Sequence, residues 1–210
     1  MPAVSETIVR EYLESLGFLV QQPQKYVVMA RAKRPAEEVD IVAIQSLSVE
    51  ATELPGPDHM VVGGAELRGC PRLMVSVRGW HTDRFSPATL DLSPEIFRFA
   101  EGPSVREVQR ALGDGPLVKV LCLPNLPANP ESARQALHML REKGVDLVVL
   151  FPTMLRELIR HVEVSKNYER SDLLQTLRIL KNYELLKDEQ LELFRRKPAT
   201  RPKPRQADAS

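Results

Sequence analysis

Two apolar runs, Pro116–Leu123 and the β-branched stretch Val145–Phe151, flank a helical stretch, Pro130–Lys143, that Gly144 closes. Strand–helix–strand alternation of this kind favours a layered α/β domain with a partly parallel sheet. Two further amphipathic helices are expected at Thr153–Val164 and Ser171–Lys187. A chain of 210 residues, 43% hydrophobic and 27% charged, is long enough to bury one substantial core and has the composition of a soluble protein. The domain is expected to occupy residues 1–194. From Arg195 to Ser210 the chain carries six basic residues and one acid, a net of +5 inside a whole-chain charge of +1. That stretch reads as a basic, disordered tail, of a kind that can lean on nucleic acid or an acidic partner.

No apolar run approaches the roughly 18 residues that a membrane-spanning helix needs. The N-terminus lacks a basic stretch followed by an apolar one, so no secretory signal is read and a cytoplasmic protein is expected. Cys70 and Cys122 lie far apart without metal-ligand spacing and are expected to be small core residues.

The first half of the chain carries the residues that suggest chemistry. Ser5 opens an amphipathic helix that Gly17 ends, and Phe18–Gln21 follows as a strand. Tyr26–Met29 reads as another strand, leading through the basic stretch Arg31-Ala32-Lys33-Arg34 into Val39–Ile44. Ser46–Gly69, rich in glycine and proline, reads mainly as an excursion, and Arg72–Arg78 as a strand. A loop with Pro87 and Pro94, a short helix begun at Pro94 and a second helix at Ser104–Leu112 precede the parallel half.

Three of these stretches share one template. They are Ser5–Val20, with Glu6 eleven positions before Gly17; Glu37-Glu38-Val39-Asp40-Ile41-Val42-Ala43-Ile44; and Leu73-Met74-Val75-Ser76-Val77-Arg78-Gly79-Trp80. In order and placement they resemble the PD-(D/E)xK nuclease superfamily, above all its restriction-endonuclease-like and Holliday-junction-resolvase-like branches. The resemblance covers about residues 5–85. It implies a restriction-endonuclease-like α/β fold, a mixed central sheet flanked by helices. It also implies a Mg²⁺-dependent phosphodiesterase site acting on DNA, with homodimerisation common. Residue by residue, Glu6 matches the helix acid, Asp40 the second-motif acid, Ser76 the third-motif Glu and Arg78 its Lys. Glu6 and Asp40 would hold the metal.

Two of those positions depart from the pattern. Arg78 keeps the positive charge on a planar group that does not deprotonate and can clamp a phosphate. Ser76 removes a carboxylate from beside a hard cation, a loss on the order of 10²- to 10⁴-fold in rate. Glu66, Asp83, Glu37 and Glu38 are the candidate replacements. His81 and Asp83 form a weaker metal-pair candidate, and Trp80 a stacking candidate. The expected function is thus a nucleic-acid-associated protein with a weakened or lost nuclease site. The alternatives are an active endonuclease using Glu6, Asp40 and Arg78, and a protein–protein adaptor that binds no nucleic acid. A serine hydrolase is excluded for want of a Gly-x-Ser-x-Gly elbow.

Overall fold

The strand Arg72–Val77 alternates its apolar residues between two separate cores, and every residue after Arg72 is buried. Leu73, Val75 and Val77 enter one core and Met74 the other, so the strand must lie between two helical layers. The computed structural model describes residues 4–23, 39–46, 59–79, 81 and 85–186. Its sheet has five strands in chain order: β1 (Phe18–Gln21), β2 (Ile41–Gln45), β3 (Arg72–Val77), β4 (Val118–Leu123) and β5 (Leu147–Leu150). The pairs β1–β2 and β2–β3 are antiparallel, whereas β3–β4 and β4–β5 are parallel. The ends of β1, β3, β4 and β5 therefore share one edge of the sheet with the start of β2.

One face is covered by α1 (Val4–Ser15), α6 (Phe151–His161) and α7 (Asp172–Asn182). Val9, Tyr12 and Leu13 of α1, Met154 and Leu158 of α6 and Leu177 of α7 pack there with Val75, Val120 and Val149. The other face carries α3 (Pro87–Leu92), a 3₁₀ helix (Pro94–Ala100), α4 (Gly102–Leu112) and α5 (Pro130–Glu142). Leu90, Phe97, Phe99, Val108, Ala136 and Leu140 pack there with Met74, Leu121 and Val148. The α/β expectation therefore holds: a mixed sheet flanked by helices.

Local chemistry sets the helix boundaries. Asn129 accepts from the amides of Glu131 (2.9 Å) and Ser132 (3.1 Å), with Pro130 at the first helical position of α5. Gly144, at φ +85°, ends that helix in a conformation that favours glycine. Ser171 caps α7 through the Leu174 amide (3.2 Å).

Several expectations need correction. The loop expected around Pro87 contains α3, capped by Ser86 through the Thr89 amide (3.3 Å), with Pro87 in its first turn. The helix begun at Pro94 is 3₁₀. The final helix stops at Asn182 rather than Lys187, and Glu184 takes φ +55° just beyond it. The 46–69 excursion returns in part as structure. The Val148 amide donates to Met60 O (2.8 Å) and the Val62 amide to Val148 O (3.0 Å), so the chain around Val61 lies along the outer edge of β5. A short helix, α2 (Gly64–Leu67), follows. The expected strand Tyr26–Met29, the basic residues Arg31, Lys33 and Arg34, and the tail 195–210 lie outside the described residues. Cys70 and Cys122 are both buried and unpaired, as expected of core residues. Burial pushes the Cys70 thiol up to about 11 and raises that of Cys122 further. Among the described residues no helix is long and apolar enough to cross a membrane.

Candidate functional site

Asp40 immediately precedes β2, and its amide donates to Val75 O on β3 (3.1 Å), which extends the ladder by one residue. Its side chain therefore meets β3 directly. Asp40 Oδ2 accepts from Ser76 Oγ (3.1 Å) and from the Val77 amide (2.6 Å). Ser76 is fully buried, while Asp40 is half-buried. A hydroxyl at this place satisfies the carboxylate, where a second acid would repel it.

Glu6 lies in the first turn of α1, where an acid is favoured by the helix dipole. Gln22, just beyond β1, donates from Nε2 to Glu6 Oε2 (3.1 Å). Burial raises the Glu6 carboxyl above the usual range, and the negative charge of Asp40 raises it further. The Asp40 charge also raises the Cys122 thiol, after burial. Glu6 thus feels the charge of Asp40 at the end of the sheet where β1 and β3 end and β2 begins.

Arg78 continues the β3–β4 ladder, its amide donating to Cys122 O (3.0 Å). Its Nε is shielded from solvent and has no hydrogen-bond partner among the described residues. The chain then turns against α1. A Cβ at Gly79 would stand 2.6 Å from Ser5 Oγ, so the close approach requires glycine. Ser5 Oγ and His81 Nε2 share a hydrogen bond (3.1 Å), and the imidazole meets the Phe151 ring edge-on at 4.7 Å between centroids.

The structure therefore brings Glu6, Asp40 and Ser76 to one end of the sheet, with Arg78 next along β3. It does not bring Glu66 into use there: that carboxylate accepts from the Gly63 amide (3.0 Å) at the start of α2. Asp83, Glu37, Glu38 and Trp80 lie outside the described residues. His81 bonds to Ser5 through Nε2, and Asp83, the other half of the expected metal pair, lies outside the described residues. Gln22 and Ser5 escape sequence reading because a polar residue beside a strand end, or in a first helical turn, looks like ordinary surface.

Among the described residues no three His, Cys, Asp or Glu side chains are grouped to hold a metal ion. Two carboxylates suit a Mg²⁺ that keeps most of its water, a weaker arrangement than a full protein cage. The chain matches no protein-family model, no curated protein and no solved structure.

Proposed function

We propose that this chain is a divergent nuclease-fold protein of PD-(D/E)xK type that associates with nucleic acid and has a weakened or lost cleavage site. The observation that carries this reading is the engagement of Asp40. The oxygen that would face a metal on the β3 side accepts instead from Ser76 Oγ and the Val77 amide. A buried serine where the template has an acid leaves Glu6 and Asp40 as the carboxylates able to hold Mg²⁺. A cation there would neutralise charge on a scissile phosphate. Arg78, just beyond the end of β3, is the group suited to a phosphate oxygen. Glu6 favours the second reading, an active endonuclease, because its carboxyl, raised first by burial, also lies close enough to Asp40 to feel that charge, as two ligands of one cation would.

Incubation of supercoiled plasmid and of a branched DNA with Mg²⁺ or Mn²⁺ tests this, alongside DNA binding across a salt series. The expected result is salt-dependent binding that survives Asp40→Ala, with no more than slow cleavage. Efficient metal-dependent nicking that Asp40→Ala abolishes would establish the endonuclease instead. Absence of DNA affinity at low salt would leave a protein–protein adaptor. The apolar groups exposed toward the chain's C-terminal side, Ile179, Tyr183 and Leu185, would then be the first surface to test.

A further inference from the structure

We infer that His81 is a positioning residue for the Glu6–Asp40 pair, acting through Ser5. The inference rests on the cation reading given above and adds the device that sets the geometry of that site.

Glu6 and Asp40 sit on different elements, a helix and the entry to a strand, and the fold must hold those elements in register. Core packing fixes the middle of α1 through Val9, Tyr12 and Leu13. The first turn lies beyond those contacts, and helix ends fray unless tied down. Ser5, the neighbour of Glu6, is a buried polar residue. Its hydroxyl bonds to His81 Nε2 across 76 positions of sequence. Gly79 packs against the same hydroxyl, so the chain leaving β3 touches Ser5 at two points. His81 is itself exposed, yet it is held on two sides, by Ser5 and by the edge-on contact with Phe151 at the start of α6. The strand that carries Ser76, with Arg78 just beyond its end, is thereby tied to the helical turn that carries Glu6. An exposed histidine fixed in this way holds the turn in place, and with it the separation of the two carboxylates.

The test compares wild type with His81→Ala, Ser5→Ala, the double variant and His81→Gln. Amide hydrogen exchange at Ile8 and Val9 reports fraying of the first turn. Broadening of the Glu6 and Asp40 resonances by Mn²⁺ reports the site. Each alanine variant is expected to speed exchange at Ile8 and Val9 by about five-fold, the scale of one hydrogen bond. Exchange at Leu13 should not change. Each should weaken Mn²⁺ binding by a similar factor, and the double variant should lose no more than either single one. His81→Gln retains a polar group able to reach Ser5 and should recover most of both effects, which a purely space-filling ring would not allow. Unchanged exchange at Ile8 and Val9 would overturn the proposal, and so would faster exchange with unaltered Mn²⁺ binding. If wild type shows no Mn²⁺ broadening at either carboxylate, the cation reading falls, and the exchange data then decide the clamp alone.

Discussion

At Ser76 a hydroxyl stands where the proposed nuclease reading would have a carboxylate, and that hydroxyl reaches Asp40 through a 3.1 Å hydrogen bond. Ser76→Glu would put a second acid, fully buried, against Asp40. In metal-free protein that variant is expected to lose about 2–4 kcal/mol, the usual scale for burying an uncompensated charge. Mn²⁺ should recover much of the loss, because three carboxylates make a far better site than two. Thermal melts with and without Mn²⁺ check this, and a Ser76→Glu protein indifferent to Mn²⁺ would show that the three side chains do not converge. Glu6 gives a pH prediction. Its folded carboxyl titrates above the ordinary value, from burial first and from Asp40 second. A raised carboxyl contributes stability below the unfolded pKa and loses that contribution as pH rises through the folded one. Ionised Glu6 therefore destabilises the protein at neutral pH, and Glu6→Gln should raise the melting temperature at pH 7 but not near pH 3.5. The gain should be under about 1 kcal/mol. Equal effects at both pH values would mean that charge is not the cause. Asp40 and Ser76 were each singled out in the sequence as positions on neighbouring apolar strands, but their bond to one another was not, because it depends on a strand register that the structure supplies. Nor was the bond between Ser5 and His81, since it joins residues that no local pattern links.

Among the elements, α1 and the five strands stood out in the sequence because β2 to β5, largely buried, read as apolar runs, and Gly17 marks the end of α1 and the start of β1. The elements that escaped are the short ones. Pro87 punctuates a loop as readily as it opens a helix, and the decisive cap, Ser86, is a common loop residue. The return of residues 60–62 along β5 is hidden for a related reason: its pairing is long-range, and the glycines after it are turn formers in any local reading. Those glycines have a packing role. The Glu157 carboxylate of α6 accepts from Tyr12 Oη (3.0 Å) and from the Gly64 amide (3.2 Å), joining α1, α6 and α2. A Cβ on Gly64 would lie 2.5 Å from Glu157 Oε2 and 2.6 Å from Leu16 Cδ2. Glu157→Ala is therefore expected to cost about 1–3 kcal/mol, because it strands a donor on a buried residue of each of two elements, Tyr12 and Gly64. Denaturant unfolding measures the loss, and hydrogen exchange at Gly64 locates it. A variant as stable as wild type, with Gly64 still protected, would mean that this junction is held by its apolar contacts alone.

Over the whole molecule the charge is divided unevenly. The last sixteen residues carry a net of +5 and all that precedes them −4. An acidic body repels a nucleic acid backbone at long range, so in the proposed function the approach must be driven from the basic end, with the Glu6–Asp40 edge engaging afterwards. That division separates affinity from chemistry. Removing residues 195–210 should weaken DNA binding and flatten its dependence on salt. Each phosphate contact contributes about 0.9 to the slope of log K against log salt, so loss of four or five contacts lowers the slope by about 4. The same truncation should leave the melting temperature and the response of Glu6→Gln to pH unaltered, since both belong to the α/β body. Asp40→Ala should do the reverse, altering cation binding while the salt slope stays put. Titrations of labelled duplex between about 50 and 200 mM salt, where such slopes are well resolved, decide the matter. An unchanged slope after truncation would place the binding surface on the body despite its negative charge. Arg78 would then be the residue to substitute next.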